Sequence, residues 1–225
     1  MLIDLHVHTN ASEGFTLTLA DAIERAKARG LSGILLAECD HVPDIDAVDA
    51  QAEKARFPVF VGIDIDAADG RLIAVPPDPT DSRFVEQRWR NADGDTRIAD
   101  VVRVMNELGG AVLAAHPYME DGGPQLGDRI FRTRGLVGVE VLCGVDDDMA
   151  NDLALEAAAS MALPTFGGSD TGPDGQRLGL YCTAFASEIT SQHELVAALK
   201  EGAYWPVELK KPEPRRRSEN ASRGR

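Results

Sequence analysis

Aromatic residues, cysteines and long apolar runs are all scarce in this chain. Aromatics make up 5% of its 225 residues, while alanine, leucine and valine dominate the apolar part. That mix suits helices packed on buried strands better than a β-sandwich. Cys39, Cys143 and Cys182 are odd in number and scattered. They form no CxxC and no disulfide framework, which points to a reduced, cytoplasmic protein. No apolar stretch approaches the roughly 20 residues of a bilayer span. The N-terminus opens on an apolar strand rather than a basic segment, so no signal peptide is read. No P-loop or GxGxxG is present. Cations are also in deficit, 23 Lys or Arg against 37 Asp or Glu, for a net charge of -14. Bulk electrostatics therefore gives no pull toward nucleic acid, and neither a nucleic-acid partner nor a membrane is expected. The balance reverses only in residues 210–225, where seven Lys or Arg face two Glu. With almost no apolar residue to offset its ordering entropy, this stretch is expected to be a disordered basic tail.

Residues 1–209 read as one domain of alternating short apolar runs and helical patterns. Strands are expected at 2–8, 31–37, 57–65, 111–115, 136–142, 163–167 and 180–185. Residues 72–75 continue or pair with the third. Helical spacing is seen at 17–29, 46–56, 96–108, 126–134, 146–161 and 191–201. Strands that are apolar on both faces and alternate with helices argue a parallel sheet. About seven such units favour a closed α/β barrel over an open sheet.

Four of the five histidines fall at the carboxyl ends of expected strands. His6 and His8 end the first, His41 follows the second, and His116 follows the strand at 111–115. Asp64 and Asp170 occupy similar positions. Ligands of parallel α/β folds gather at that end, so residues distant in sequence can converge on one mouth. His6 and His8, two apart on a strand, point to one face and can share a cation. Imidazoles with carboxylates suit zinc, iron or manganese and hydrolytic chemistry. A lone histidine near a strand end is usually structural; four beside several acids point to a metal site. His193, in a helix start, reads as a surface residue.

The run Asp4-Leu5-His6-Val7-His8-Thr9-Asn10-Ala11-Ser12 resembles DxHxHTxxS, the opening signature of the polymerase-and-histidinol-phosphatase (PHP) superfamily. Asp40-His41 is similar to its second signature, TDH, with Cys39 in place of Thr. Ala115-His116-Pro117 is similar to the third, and Gly168-Ser169-Asp170 to the fourth, GSDxH. The likeness extends over nearly all of the chain before residue 210. It implies a distorted (β/α)7 TIM-like barrel and metal-dependent hydrolysis, most often of phosphate esters. By position, it implies one metal held by His6, His8, Asp64 and Asp170, a second by Glu13 and His41, and a third by Asp64 and His116. Asp64 stands where the family has a bridging Glu. Two ligand histidines of the family are missing: Arg71 and Leu72 stand near the first gap and Gly172 at the second.

The expectation is one firmly bound divalent ion (Mn, Zn or Fe), with a weaker second. The activity expected is that of a phosphoesterase acting on a small phosphorylated metabolite or nucleotide through a metal-activated water. His41 or His116, if not bound to metal, could serve as general acid. Arg71 could replace a missing metal charge and clamp a phosphate, or be an ordinary surface arginine; Arg177 is a weaker candidate. Asp4 and Asp40 are read as acceptors orienting the histidines, with direct metal contact an alternative for Asp40. Cys39 reads as packing, and Glu140 as a hydrogen-bonding group in the barrel floor. The competing reading is a PHP-like domain that has lost catalysis and serves as a metal-stabilised scaffold.

Overall fold

The computed structural model describes residues 1–120, 122–144 and 148–209. The basic tail and the first residues of the helix expected from Asp146 lie outside them. Nine strands form one sheet: β1 (Leu2–Val7), β2 (Gly33–Cys39), β3 (Val59–Ala67), β4 (Gly70–Val75), β5 (Ala111–Ala114), β6 (Gly138–Cys143), β7 (Thr165–Gly168), β8 (Tyr181–Phe185) and β9 (Tyr204–Glu208). The helices are α1 (Leu19–Ala28), α2 (Ile45–Ala55), α3 (Ser82–Val85), α4 (Ile98–Leu108), α5 (Asp148–Met161) and α6 (Gln192–Glu201). The segment expected as a helix at 126–134 is a 3-10 helix over Gly127–Arg132.

Local chemistry sets the helix ends. Thr18 and Asp44 cap α1 and α2 by accepting from the Asp21 and Ala47 amides. Ser191 and Glu194 form a reciprocal capping box at the start of α6. Arg97 gives α4 no side-chain cap. That helix is held instead by its buried face, which includes Ile98, Val101, Val104 and Met105.

The strand order is β7-β6-β5-β4-β3-β2-β1-β8-β9. The β1–β2, β2–β3, β5–β6 and β6–β7 pairs are parallel. The sheet is not parallel throughout, as the strand alternation had suggested: β4 runs antiparallel to both β3 and β5, and β8 to both β1 and β9. Only Ala68 and Asp69 separate β3 from β4, too short a link for the helical crossover that a parallel neighbour needs. The two ends of the sheet meet to make a nearly closed barrel. Thr183 of β8 stitches this seam: its hydroxyl accepts from Gly167 N at 3.1 Å and donates to Gly167 O at 2.8 Å.

The inward row of side chains changes character along the barrel. Toward the bottom it is apolar, with Ile3, Leu5, Leu35, Phe60, Ile73, Leu113 and Phe166 in one cluster with Leu195 and Leu199 of α6. Gln192 fastens α6 there by bonds to the Val61 amide and carbonyl and to the Pro76 carbonyl. Toward the top the inward positions become His6, Cys39, Asp64, Arg71 and Glu140. An irregularity in β1 between Asp4 and Val7 shifts its register against β2. Such a bulge re-aims side chains and lets Leu5 and His6 both contribute to the interior.

Candidate metal centre

His6 is fully buried, and its ring is held from one side. Its Nδ1 lies 3.0 and 3.2 Å from the two Glu140 oxygens. Glu140 also accepts the His116 amide at 2.8 Å. A carboxylate on Nδ1 fixes the tautomer that presents Nε2. Yet His6 Nε2 is buried with no hydrogen-bond partner, and so is Asp64 Oδ1. Such orphans are rare because each carries a desolvation penalty of about 1–3 kcal/mol. Here they face one another's groups: His6 Nε2 lies 3.6 Å from Asp64 Oδ2, and His8 Nε2 lies 3.6 Å from Asp170 Oδ1. These are poor hydrogen-bond lengths and good ligand separations. A tetrahedral ion with bonds of about 2.1 Å sets its ligand atoms about 3.4 Å apart. The donor set therefore fits a divalent cation.

Three overlapping groups of potential ligands have their atoms within 4.8 Å of one another: His6 with His8 and Asp170, His6 with His116 and Glu140, and His8 with Cys39 and Asp64. The His6 ring stacks on that of His116 at 5.6 Å between centroids and meets His8 edge-on at 4.9 Å. Phe15 lies against His8. Close approach is possible because residue 168 is glycine: a Cβ there would meet His6 Cβ at 2.4 Å and Glu140 Oε1 at 2.7 Å.

The protonation pattern follows from this crowding. Burial alone would lower the His6 pKa, but the charges of Glu140 and Asp64 raise it well above 6.5. Burial and the charge on His6 lower that of His8. Burial would raise Asp64; the close, charged His6 and the charges of His8 and His116 outweigh it and hold Asp64 at about 2. A cation held at His6 Nε2 would compete with a proton for that nitrogen.

Sequence expectation and geometry part company on one side of the mouth. Glu13 and His41 are exposed. Among the described residues, neither joins a group of three ligand atoms. Asp40 does not orient a histidine either. Its carboxylate pairs with Arg90 at 3.0 Å. Asp4 bonds to the amides of His6, Ser169 and Gly179 rather than to an imidazole. It ties β1 to the loop bearing Asp170. Burial raises its pKa to about 6 despite those three donors. Asp40, His116 and Asp170 carry φ angles of 50°, 23° and 39°. This strained backbone just beyond three strand ends is a feature common at functional sites.

Glu38 was not anticipated. It is buried outside the ligand row and accepts from Thr9 N and from the Thr9 and Ser12 hydroxyls, each of these last at 2.5 Å. Ser12 Oγ in turn accepts the Cys39 amide at 2.9 Å. One carboxylate therefore anchors the loop after His8 and the end of β2. Its signal was a lone acid at the end of an apolar strand, beside Cys39-Asp40-His41.

Both arginines stand at the mouth. Arg71 opposes Asp66 across the β3–β4 hairpin, two residues beyond Asp64, and its Nε donates to Asp66 at 2.6 Å. Its guanidinium packs against Gly123, where a Cβ would come within 1.9 Å of Nη2. Arg177 donates from Nε to the Asp170 carbonyl at 2.7 Å and lies beside Gly172. A surface hollow of about 650 Å³, lined in part by Asp69, Arg129 and Arg132, shares no residue with the histidine cluster.

No family model matches the sequence, and no curated protein does. Solved structures do match. A Bifidobacterium adolescentis protein assigned as a metal-dependent phosphoesterase superposes with a TM-score of 0.64 at 18% identity, over 89% of this chain and 96% of that one. An amidohydrolase from Chromobacterium violaceum, with bound sulfate and no metal, gives 0.64 at 20% identity, over 79% and 89%. The lesion-specific Endonuclease Q of Pyrococcus furiosus gives 0.66 at 18% identity, over 91% of this chain and 57% of that one. Another Endonuclease Q structure holds a 27-mer duplex with an abasic lesion at its active site. That complex overturns the expectation, drawn from net charge, that nucleic acid is excluded as a partner: a protein that shares this fold over 58% of its length holds a duplex. Net charge is a property of the whole surface, whereas a polyanion is received at one mouth. No described helix is long and apolar enough to cross a membrane. The chain has a nearly closed α/β barrel, a fold it shares with these solved structures.

Proposed function

We propose that the chain is a metal-dependent phosphoesterase of the cytoplasm that acts on a small phosphorylated metabolite or nucleotide. The observation that carries this reading is the pair of buried, unpartnered atoms, His6 Nε2 and Asp64 Oδ1, beside His8 and Asp170. His6, His8, Asp64 and Asp170 would hold one cation. A divalent ion there supplies Lewis acidity and lowers the pKa of a water toward neutrality. Glu140 fixes the His6 ring. His116, whose backbone N–H donates to Glu140, would pass a proton to the leaving oxygen. Arg71 and Arg177 present guanidinium groups at the mouth, suited to an oxyanion's two-point geometry. His41 belongs to the rim and would meet substrate rather than metal.

The exposure of Glu13 and His41 favours the second reading, a metal-holding scaffold without turnover. One assay separates the two. The purified chain is stripped with a chelator, reloaded with manganese, zinc or iron, and given a panel of phosphate mono- and diesters. Phosphate or alcohol release that disappears on chelation and in His8→Ala supports the enzyme. Tight metal retention without turnover on any ester supports the scaffold.

A further inference from the structure

We infer that Cys39 is a sulfur ligand of the metal centre, so that the site prefers a thiophilic divalent cation such as zinc over manganese. The inference rests on the reading above that a cation occupies this mouth, and adds a donor to it.

Three neighbouring strands bring the group together. His8 follows β1, Cys39 ends β2, and Asp64 lies directly beside Cys39 in the parallel β2–β3 register. Paired residues of parallel strands point to the same face, so the thiol and the carboxylate project together. Sγ lies 3.5 Å from His8 Nδ1. The ligand atoms of His8, Cys39 and Asp64 fall within 4.8 Å of one another. Asp64 is 7% exposed, and its Oδ1 has no partner. The thiol is not merely adjacent to the site, because its backbone is pinned. The Cys39 amide is held by Ser12 Oγ, and Ser12 by buried Glu38.

A thiol that ligates gives its proton to water and forms a metal–sulfur bond. Thiolate with imidazole and carboxylate is a donor set for zinc, while all-oxygen and nitrogen sets suit manganese. Sγ approaches His8 from its Nδ1 side, but Asp64 also faces His6 Nε2 at 3.6 Å, so sulfur would join the centre through the carboxylate the two groups share. Cys143 is the other nearby thiol, with Sγ 3.9 Å from Asp170 Oδ2, and serves as the control.

The test is cobalt(II) substitution of the full chain, read by absorption. The wild-type protein should show visible d–d bands together with an intense near-ultraviolet thiolate-to-cobalt charge-transfer band. Cys143→Ser should keep that band. Cys39→Ser should keep the d–d bands and lose the charge-transfer band, and its affinity for zinc should fall about tenfold more than its affinity for manganese. Bound cobalt without the charge-transfer band in the wild type overturns the ligation and leaves the metal centre standing. So does a band that persists in Cys39→Ser or vanishes only in Cys143→Ser. Failure of the wild type to bind cobalt at all overturns both. The wild-type spectrum alone decides the matter if Cys39→Ser does not fold.

Discussion

The two sides of the barrel mouth differ sharply although both carry residues of the same signatures. On one side His6, His8, Asp64, Asp170 and Glu140 sit on or just beyond strands, are largely buried, and belong to overlapping groups of ligand atoms. On the other, Glu13 and His41 occupy loops beyond β1 and β2 and are exposed. Strand placement makes the difference. A residue in a pinned register is aimed by its neighbours, while a loop residue needs a partner to be aimed at all. Here the neighbouring acid, Asp40, is turned to Arg90 instead. The buried side bears the cost of its orphaned atoms, His6 Nε2 and Asp64 Oδ1.

That contrast can be broken experimentally, beginning where the effect is largest. His6→Ala or Asp170→Asn should reduce retained metal from about one equivalent to a trace, measured by elemental analysis after dialysis. Retention of a full equivalent by either variant would move the centre elsewhere. Glu140→Gln keeps the shape of the support under His6 but weakens its charge. Metal affinity should fall about 10- to 100-fold in a competition titration, with the folded spectrum unchanged.

The metal-free protein should show the proton side of the same site. The His6 pKa is raised above its ordinary 6.5, so its charged form stabilises the fold. That contribution is complete below pH 6.5 and is lost as pH rises through the higher folded-state value. Metal affinity should climb over the same interval, because the competing proton leaves. Asp64 acts in the opposite sense: held at about 2 rather than 3.8, its contribution is present above 3.8 and is lost as pH falls toward 2. Denaturant midpoints across pH, with chelator and without, check both signs; His6→Gln should flatten the neutral-to-alkaline part. The smallest effect is expected on the exposed side. Glu13→Ala and His41→Ala should change metal affinity by less than about twofold, since surface groups without partners contribute little. A tenfold loss in either would mean that the two sides close together on binding.

Much of this was legible in the residue order. The apolar runs located the core strands, and His6, His8, His116 and Asp170 were marked by their places at strand ends. Strand direction at β4 and β8 was not legible, because apolar alternation is the same whichever way a strand runs, and β9 was not anticipated as a strand at all. Cys39 read as packing because Thr stands there in the family signature and no paired base is evident in the sequence; which face its thiol takes was not legible. The β2–β3 register decided that. Arg71 and Arg177 were visible as cations, but Gly123 and Gly172 as their resting places depended on loops folding back.

By itself the sequence determined the chemistry available and roughly where along the chain it sits, because local periodicity and turn residues act over a few positions. Only the tertiary structure decided which donors converge, which stay in solvent, and which are left buried without a partner. Those outcomes depend on strand register and barrel closure, which bring together side chains as far apart as His6 and Asp170, and no local pattern encodes them.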